Sequence, residues 1–419
     1  MRNKITITEI KKTDNCICIR LAVQGSLLQY FNEDVEFFAN YFEDVSSVPD
    51  SIAVIPFLTN VLPIIWLTDS LLELDELDID FYQCINNLRD AYAKMYPILG
   101  FNGYVKVNKL IDNKTLADTK QKVLTLFSGG LDAYSTLIAH RAENPHLLTV
   151  CGADVGLNDF DGWNMVKQQT YYTTKEFNLP EPFFIKSNFR CFLNVTKLDV
   201  LVSKSNDGWW HGFQHGIGLL GLTAPIAYLH NIKLIYIASS FSNGVKITCA
   251  SDPTIDNMLE FCGTNIIHDQ YDCSRQKKIM LLSEYLKENQ KHIFLRVCWK
   301  SHDGDNCCKC EKCYRTIFGL LAEGLNPEDF GFTNYKQYLS GAEKLVSGFM
   351  KESPVLRICW RDIQERYNEL QIYKDDKNVN WIYNLRFDQN YSKFYLAVRS
   401  FYRSARSLIG KKLRACHLR

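Results

Sequence analysis

The sequence predicts an α/β protein whose central domain, residues 119–330, is a parallel sheet flanked by helices. Three features predict it. Short apolar runs alternate with helix-periodic stretches from residue 120 onward, the pattern of βαβ units. One of those runs stops on Ser128-Gly129-Gly130 immediately before a helical pattern, and five cysteines crowd into residues 298–313.

Residues 1–118 mix strand-like stretches such as ICIRLAVQ with a helical pattern at 80–98, and read as an α+β accessory domain without a catalytic constellation. Within them, residues 51–68 (SIAVIPFLTNVLPIIWLT) carry no charge over 18 positions. Pro56, Asn60 and Pro63 interrupt that run, which favours two short buried strands over a spanning helix. From residue 120, strands are expected at 123–127, 147–153, 182–187 and 233–239, and helices at 131–142, 161–176, 215–229 and 274–289. Past the cysteines, helical patterns at 312–324, 334–346 and 354–373 form a helical C-terminal extension, residues 331–419. Its tail carries eight Lys or Arg and no acid from Lys393 onward. Such a tail suits either an anionic partner (protein, RNA or a membrane surface) or a solvated helix that frays.

Composition narrows the class. A net charge of +1 argues against a polycation that coats nucleic acid, and 25 Phe with 22 Tyr argue against disorder. The N-terminal stretch MRNKITITEIKKTDNC has no apolar h-region, and 15 cysteines at uneven spacing fit a reducing cytoplasm better than a disulfide framework. A cytoplasmic location without a transmembrane segment is the expectation.

The glycine turn has a chemical reading. In an open parallel sheet, ligands bind beyond the carboxyl ends of the strands, where a helix N-terminus turns its free N–H groups outward. Gly129 and Gly130 let the backbone wrap a phosphate, Ser128 adds a hydroxyl, Leu131 opens the helix, and Asp132 complements its dipole or holds Mg²⁺. A tight turn with an N-terminal acid is the plainer alternative. No Gly-Lys-Ser/Thr follows, so the loop is not built to transfer a terminal phosphoryl group. It suits a pyrophosphate that departs when the α-phosphate is attacked.

Among the cysteines, Cys307, Cys310 and Cys313 form two overlapping Cys-x-x-Cys knuckles, and Cys298 can close a four-thiolate shell, with Cys308 spare. Four thiolates saturate zinc and leave no site for water, so the metal would be structural; an iron–sulfur cluster and unligated thiols are the alternatives.

The loop resembles the PP-loop of the ATP pyrophosphatase superfamily (adenine nucleotide alpha hydrolase-like fold), Ser-Gly-Gly-x-Asp-Ser, here with Ala133 in place of the last serine, whose contact is then either lost or supplied by Ser135. Followed by Cys-x8-Cys-x2-Cys-x2-Cys, it is similar to the 7-cyano-7-deazaguanine synthase family over roughly residues 120–325. The resemblance implies an ATP-dependent ligase. Such an enzyme adenylates a carboxylate, deazapurine-like or a glycan or secondary-metabolite precursor, for attack by ammonia or an amine, with ATP, Mg²⁺ and Zn²⁺. Arg275 and Lys278, and less directly Arg315, are the candidate basic clamp around Ser128, Gly129, Gly130, Leu131, Asp132 and Ser135; a plain surface charge is the alternative for each. A homodimer is among the expected assemblies. Other readings stay open: a PP-loop RNA-thiolating enzyme, a deazaguanine synthase-like anti-phage component, or a non-catalytic zinc-stabilised nucleotide-binding scaffold. GWWHGFQHG (208–216) departs from the family, and Trp209 or Trp210 can stack a flat ring or fill the core. His211 and His215 imitate a metal pair without a third ligand. Asp252 and Asp256 lie where a purine edge would be read, although Asp252 before Pro253 also fits a helix cap.

Overall fold

The computed structural model describes residues 3–32, 36–114, 122–242, 247–298 and 304–387. The chain divides into two compact units, Met1–Cys307 with Glu328–Gly331, and Cys308–Pro327 with Phe332–Arg419.

The first unit is built on one eleven-stranded sheet, counted among the described residues. Its strands are β1 (Lys4–Lys12), β2 (Cys16–Gln24), β3 (Phe37–Asn40), β4 (Leu71–Asp78), β5 (Tyr104–Ile111), β6 (Lys122–Leu126), β7 (His146–Cys151), β8 (Phe183–Ser187), β9 (Ile232–Ala238), β10 (Glu260–Phe261) and β11 (Thr264–Asp269). They lie side by side as β10-β11-β9-β6-β7-β8-β3-β2-β1-β4-β5. The five strands β11-β9-β6-β7-β8 are all mutually parallel. The chain starts in the middle with β6, steps to β7 and β8 on one side, then returns to place β9 and β11 on the other. Connections therefore diverge between β6 and β9, which opens a crevice at the carboxyl ends of those two strands.

The expected strands at 123–127, 147–153, 182–187 and 233–239 are β6, β7, β8 and β9, each within two residues of its expected bounds. They are buried on both faces, so they read as continuous apolar runs. The strands of residues 1–118 extend the same sheet: β3 pairs antiparallel with β8 through Ala39↔Ser187 and Asn40↔Lys186. The expected N-terminal region and the sheet of the central region thus share a single compact unit.

Residues 51–68 are not two strands. They form helices Asp50–Ala53 and Ile55–Leu67, and the second is buried along almost its whole length. A helix covered on every side has no polar stripe, so nothing in its sequence distinguishes it from a buried strand. Pro56 sits in the first turn, where no N–H is needed. Pro63 lies inside the helix, and the side chains of Thr59 and Asn60 bond back to the carbonyls of Ile55 and Pro56. Among the described residues, no helix is long and apolar enough to cross a membrane.

The expected helix 215–229 is broken in two, His215–Gly221 and Ala224–His230, and is preceded by a π-helical turn, Trp210–Gln214. Helices Leu131–His140, Phe160–Phe177 and Arg275–Asn289 match expectation closely.

The second unit is helical. Helices Glu311–Ala322, Ala342–Glu352 and Pro354–Leu370 pack on one another, and Trp360 of the last sets its ring on Phe318 and Trp381 and donates its indole N–H to Glu311 Oε1 at 3.0 Å. The basic tail from Lys393 lies outside the described residues.

Candidate functional site

β6 delivers Ser128, Gly129 and Gly130 to the crevice at the β6/β9 divergence. Gly129 has φ +73°, a conformation in which any Cβ is strained, and the space beside it is open: an added Cβ would meet only Arg296 Cβ, at 3.6 Å. The Gly130 N–H donates to Ser128 Oγ at 3.3 Å, and Gly130 is the extended N-cap of helix Leu131–His140. Leu131 is buried, so it can offer a ligand only its backbone.

Asp132 is the centre of a charge cluster. Its Oδ2 accepts from Arg275 Nη1 at 2.9 Å, and its Oδ1 from Lys278 Nζ at 3.4 Å. Both cations stand on the first turn of helix Arg275–Asn289, whose N-cap Ser274 accepts from Lys277 N–H. Lys278 is only 2% exposed and also donates to the Ser239 carbonyl, just past β9. The β6 loop, the end of β9 and this helix therefore meet at one corner. A buried ammonium is tolerable only when matched, and Asp132 with the Ser239 carbonyl supplies the match.

Asp132 thus organises the cations. Each of its oxygens accepts from one of them. Ser135 does not reach the loop. It is buried one turn down the helix, where its hydroxyl donates to Gln270 Oε1 at 2.5 Å. Ala133 is likewise buried.

A third cation went unnoticed in the sequence. Arg296 lies in an irregular segment, its N–H donating to the Gly129 carbonyl at 2.7 Å and its Nε–H to the Ser128 carbonyl at 3.1 Å. Burial draws its pKa below the usual guanidinium value, with the charge of Asp154 opposing. The signal was available: in IFLRVC it is a lone charge inside an apolar run. Together these groups make a corner rich in positive charge and main-chain donors, which suits a polyanion.

Two residues beyond Arg296 begins the cysteine cluster. The ligand atoms of Cys298, Cys307, Cys310 and Cys313 all lie within 4.8 Å of one another. A tetrahedron of zinc–sulfur bonds of about 2.3 Å has sulfur–sulfur edges of about 3.8 Å, so four soft donors at this spacing can hold a metal ion such as zinc. Cys308 turns away at φ +55° and donates to the Thr333 carbonyl, as expected of the spare thiol. Asn306 ties the segment carrying Arg296 and Cys298: its Oδ1 accepts from the N–H groups of Val297 and Cys298, and its Nδ2 donates to the Leu295 carbonyl.

The remaining candidates take structural places. Trp209 is buried and stacks on Phe213, so it forms no slot for a flat ring. Trp210 lies under the Arg190 guanidinium at 3.9 Å. His211 bonds to Asp207 rather than pairing with His215. Asp252 caps helix Pro253–Asp256 through Thr254 N–H, and Asp256 is buried against His268 at 2.7 Å. Neither acid is set to read a purine edge. Arg315 pairs with Glu311 on its own helix at 3.5 Å.

Comparison with family models, with curated proteins and with solved structures gave no significant match to this chain.

Proposed function

We propose that the chain is an ATP-dependent adenylating enzyme of the PP-loop type. It cleaves ATP to AMP and pyrophosphate and so activates a carboxylate, which ammonia or an amine then attacks to form a carbon–nitrogen bond, in the manner of 7-cyano-7-deazaguanine synthase. One observation carries the reading: the Ser128–Gly130 turn meets Arg275, Lys278 and Arg296 at the crevice where the strand order diverges.

The chemistry follows from charge. A carboxylate oxygen is a poor leaving group until it carries AMP. The attack on the α-phosphate builds negative charge there and on the departing pyrophosphate. Main-chain N–H groups of the turn suit the pyrophosphate, and the three cations offset the developing charge without reorganising. Asp132 holds Arg275 and Lys278 in position. The Mg²⁺ that accompanies ATP would rest on phosphate oxygens, its usual ligands. A zinc ion on the four cysteines would fix the segment that presents Arg296, a structural part.

The test is incubation with ATP, Mg²⁺ and a panel of carboxylates that includes 7-carboxy-7-deazaguanine. AMP with pyrophosphate supports the reading; ADP with phosphate counts against it.

A further inference from the structure

A cavity of about 640 Å³ lies at the amino end of β8, and none of its lining residues belongs to the nucleotide corner. Three segments line it: the first residues of β8, the residues just past β3, and the middle of helix Phe160–Phe177. The five residues of β8 span about 16 Å, so the cavity and the crevice at the carboxyl ends of β6 and β9 occupy opposite rims of the parallel sheet. Its volume is that of a small-molecule site, and its lining has the usual make-up of one, aromatic rings with a few converging polar groups.

The helix contributes Asn164, Lys167, Gln168 and Tyr171. They recur at i, i+3, i+4 and i+7 and so share one helix face, the face turned to the cavity. Tyr171 packs on Phe184 of β8, with ring centroids 5.2 Å apart. The Lys167 ammonium stands 5.9 Å from the Phe42 ring and 6.0 Å from the Trp163 ring, and it pairs with no carboxylate among the described residues. A cation lodged among rings without an acid is set to take an anion, and the amides of Asn164 and Gln168 flank it as further donors.

The segment past β3 brings the complementary group. Phe42 has φ +53°, a strained conformation for a bulky residue, and its ring is 51% exposed, so burial does not repay the strain. Strain of this kind concentrates where a side chain is held ready for a ligand. Next to it, Glu43 Oε2 meets His230 Nε2 at 2.6 Å, while Glu43 Oε1 is buried without a hydrogen-bond partner. The hydroxyl of Tyr41, also in the lining, is buried without a partner as well. A buried carboxylate oxygen that lacks a donor is costly, and a ligand N–H reaching it would remove that cost.

We propose that this cavity binds a small planar aromatic anion that carries an N–H donor. Its ring lies against Phe42, Tyr171 and Phe184, its anionic group on Lys167, and its N–H on Glu43 Oε1. The site goes beyond the adenylation reading and stands without it. A ligand held at the amino rim is not the carboxylate that meets the α-phosphate at the carboxyl rim.

The experiment uses the full chain without nucleotide and 4-aminobenzoate as the probe, which has a carboxylate and an amino group at opposite ends of one ring. Ligand-observed NMR titration should give a Kd of about 1 mM or tighter, as suits so small a ligand. Benzoate, which lacks the N–H, and aniline, which lacks the anion, should each bind at least about 10-fold more weakly. Lys167→Gln, on a half-buried helix position, should keep the circular dichroism spectrum and weaken 4-aminobenzoate by about 10-fold. Binding of 4-aminobenzoate that is undetectable up to about 10 mM, a Kd unchanged in Lys167→Gln, or benzoate bound as tightly as 4-aminobenzoate would each overturn the proposal.

Discussion

Replacing Asp132 with Asn removes one charge and leaves two. Lys278, 2% exposed, then keeps the Ser239 carbonyl as a neutral partner, and Arg275 loses a contact of 2.9 Å. Removing one partner of a fully buried ion pair costs about 3–5 kcal/mol. Asp132 is itself 19% exposed, so water reaches the site, and Ser239 still accepts from the ammonium. A cost of about 2 kcal/mol is the expectation. Lys278→Met strands the Asp132 charge less, because Arg275 still pairs with it, and should cost about 1 kcal/mol by the same reasoning. The two changes together should cost less than their sum by about 1 kcal/mol, the size typical of residues in one ion-pair network. Urea unfolding of the four proteins of this cycle, followed by tryptophan fluorescence, reads the coupling. Costs that simply add, within about 0.5 kcal/mol, would show that Asp132 and Lys278 do not depend on each other and that the clamp has been misread.

Three further outcomes are expected. Cys310→Ser should lower bound metal, measured by elemental analysis of the purified chain, and destabilise it by several kcal/mol, since a structural metal couples to folding; unchanged metal content would remove the cluster from the account. Arg296→Met should leave secondary structure intact by circular dichroism but weaken ATP binding by about 10-fold in calorimetry, the loss of one charged hydrogen-bonding group, and an unaltered Kd would dissociate Arg296 from the nucleotide. The His211–Asp207 pair should make stability depend on pH. Because the folded His211 pKa lies above its ordinary 6.5, near 10, the contribution is fully present below 6.5 and is lost as pH rises through about 10. His211→Gln should flatten that part of the stability profile, and an unchanged slope would mean the pair does not hold its proton.

Much of this site was legible because its parts are local. The Ser128-Gly129-Gly130 turn, the strand before it and the helix after it are adjacent in sequence, and each follows from nearest-neighbour chemistry. The cysteines were legible for the same reason, since a Cys-x-x-Cys bite is a short-range feature. What escaped was long-range or aperiodic. The Ile55–Leu67 helix is covered on all sides, so no stripe marks its period. Arg296 reaches the loop across 168 residues from a segment with no regular structure. That Asp132 pairs with Arg275 and Lys278, about 145 residues on, is announced by nothing in its sequence neighbours. The extension of the sheet through β3 and β8 depends on a pairing across some 150 residues, which no pattern within 1–118 announces.

The central claim is that ATP is cut at its innermost phosphorus by a carboxylate. Labelling that carboxylate with heavy oxygen and analysing the nucleotide products by mass spectrometry tests it most directly. The account predicts one labelled oxygen in AMP, carried over when the acyl–AMP bond is broken at carbon. Label absent from AMP, or ADP and phosphate as the products, would contradict it.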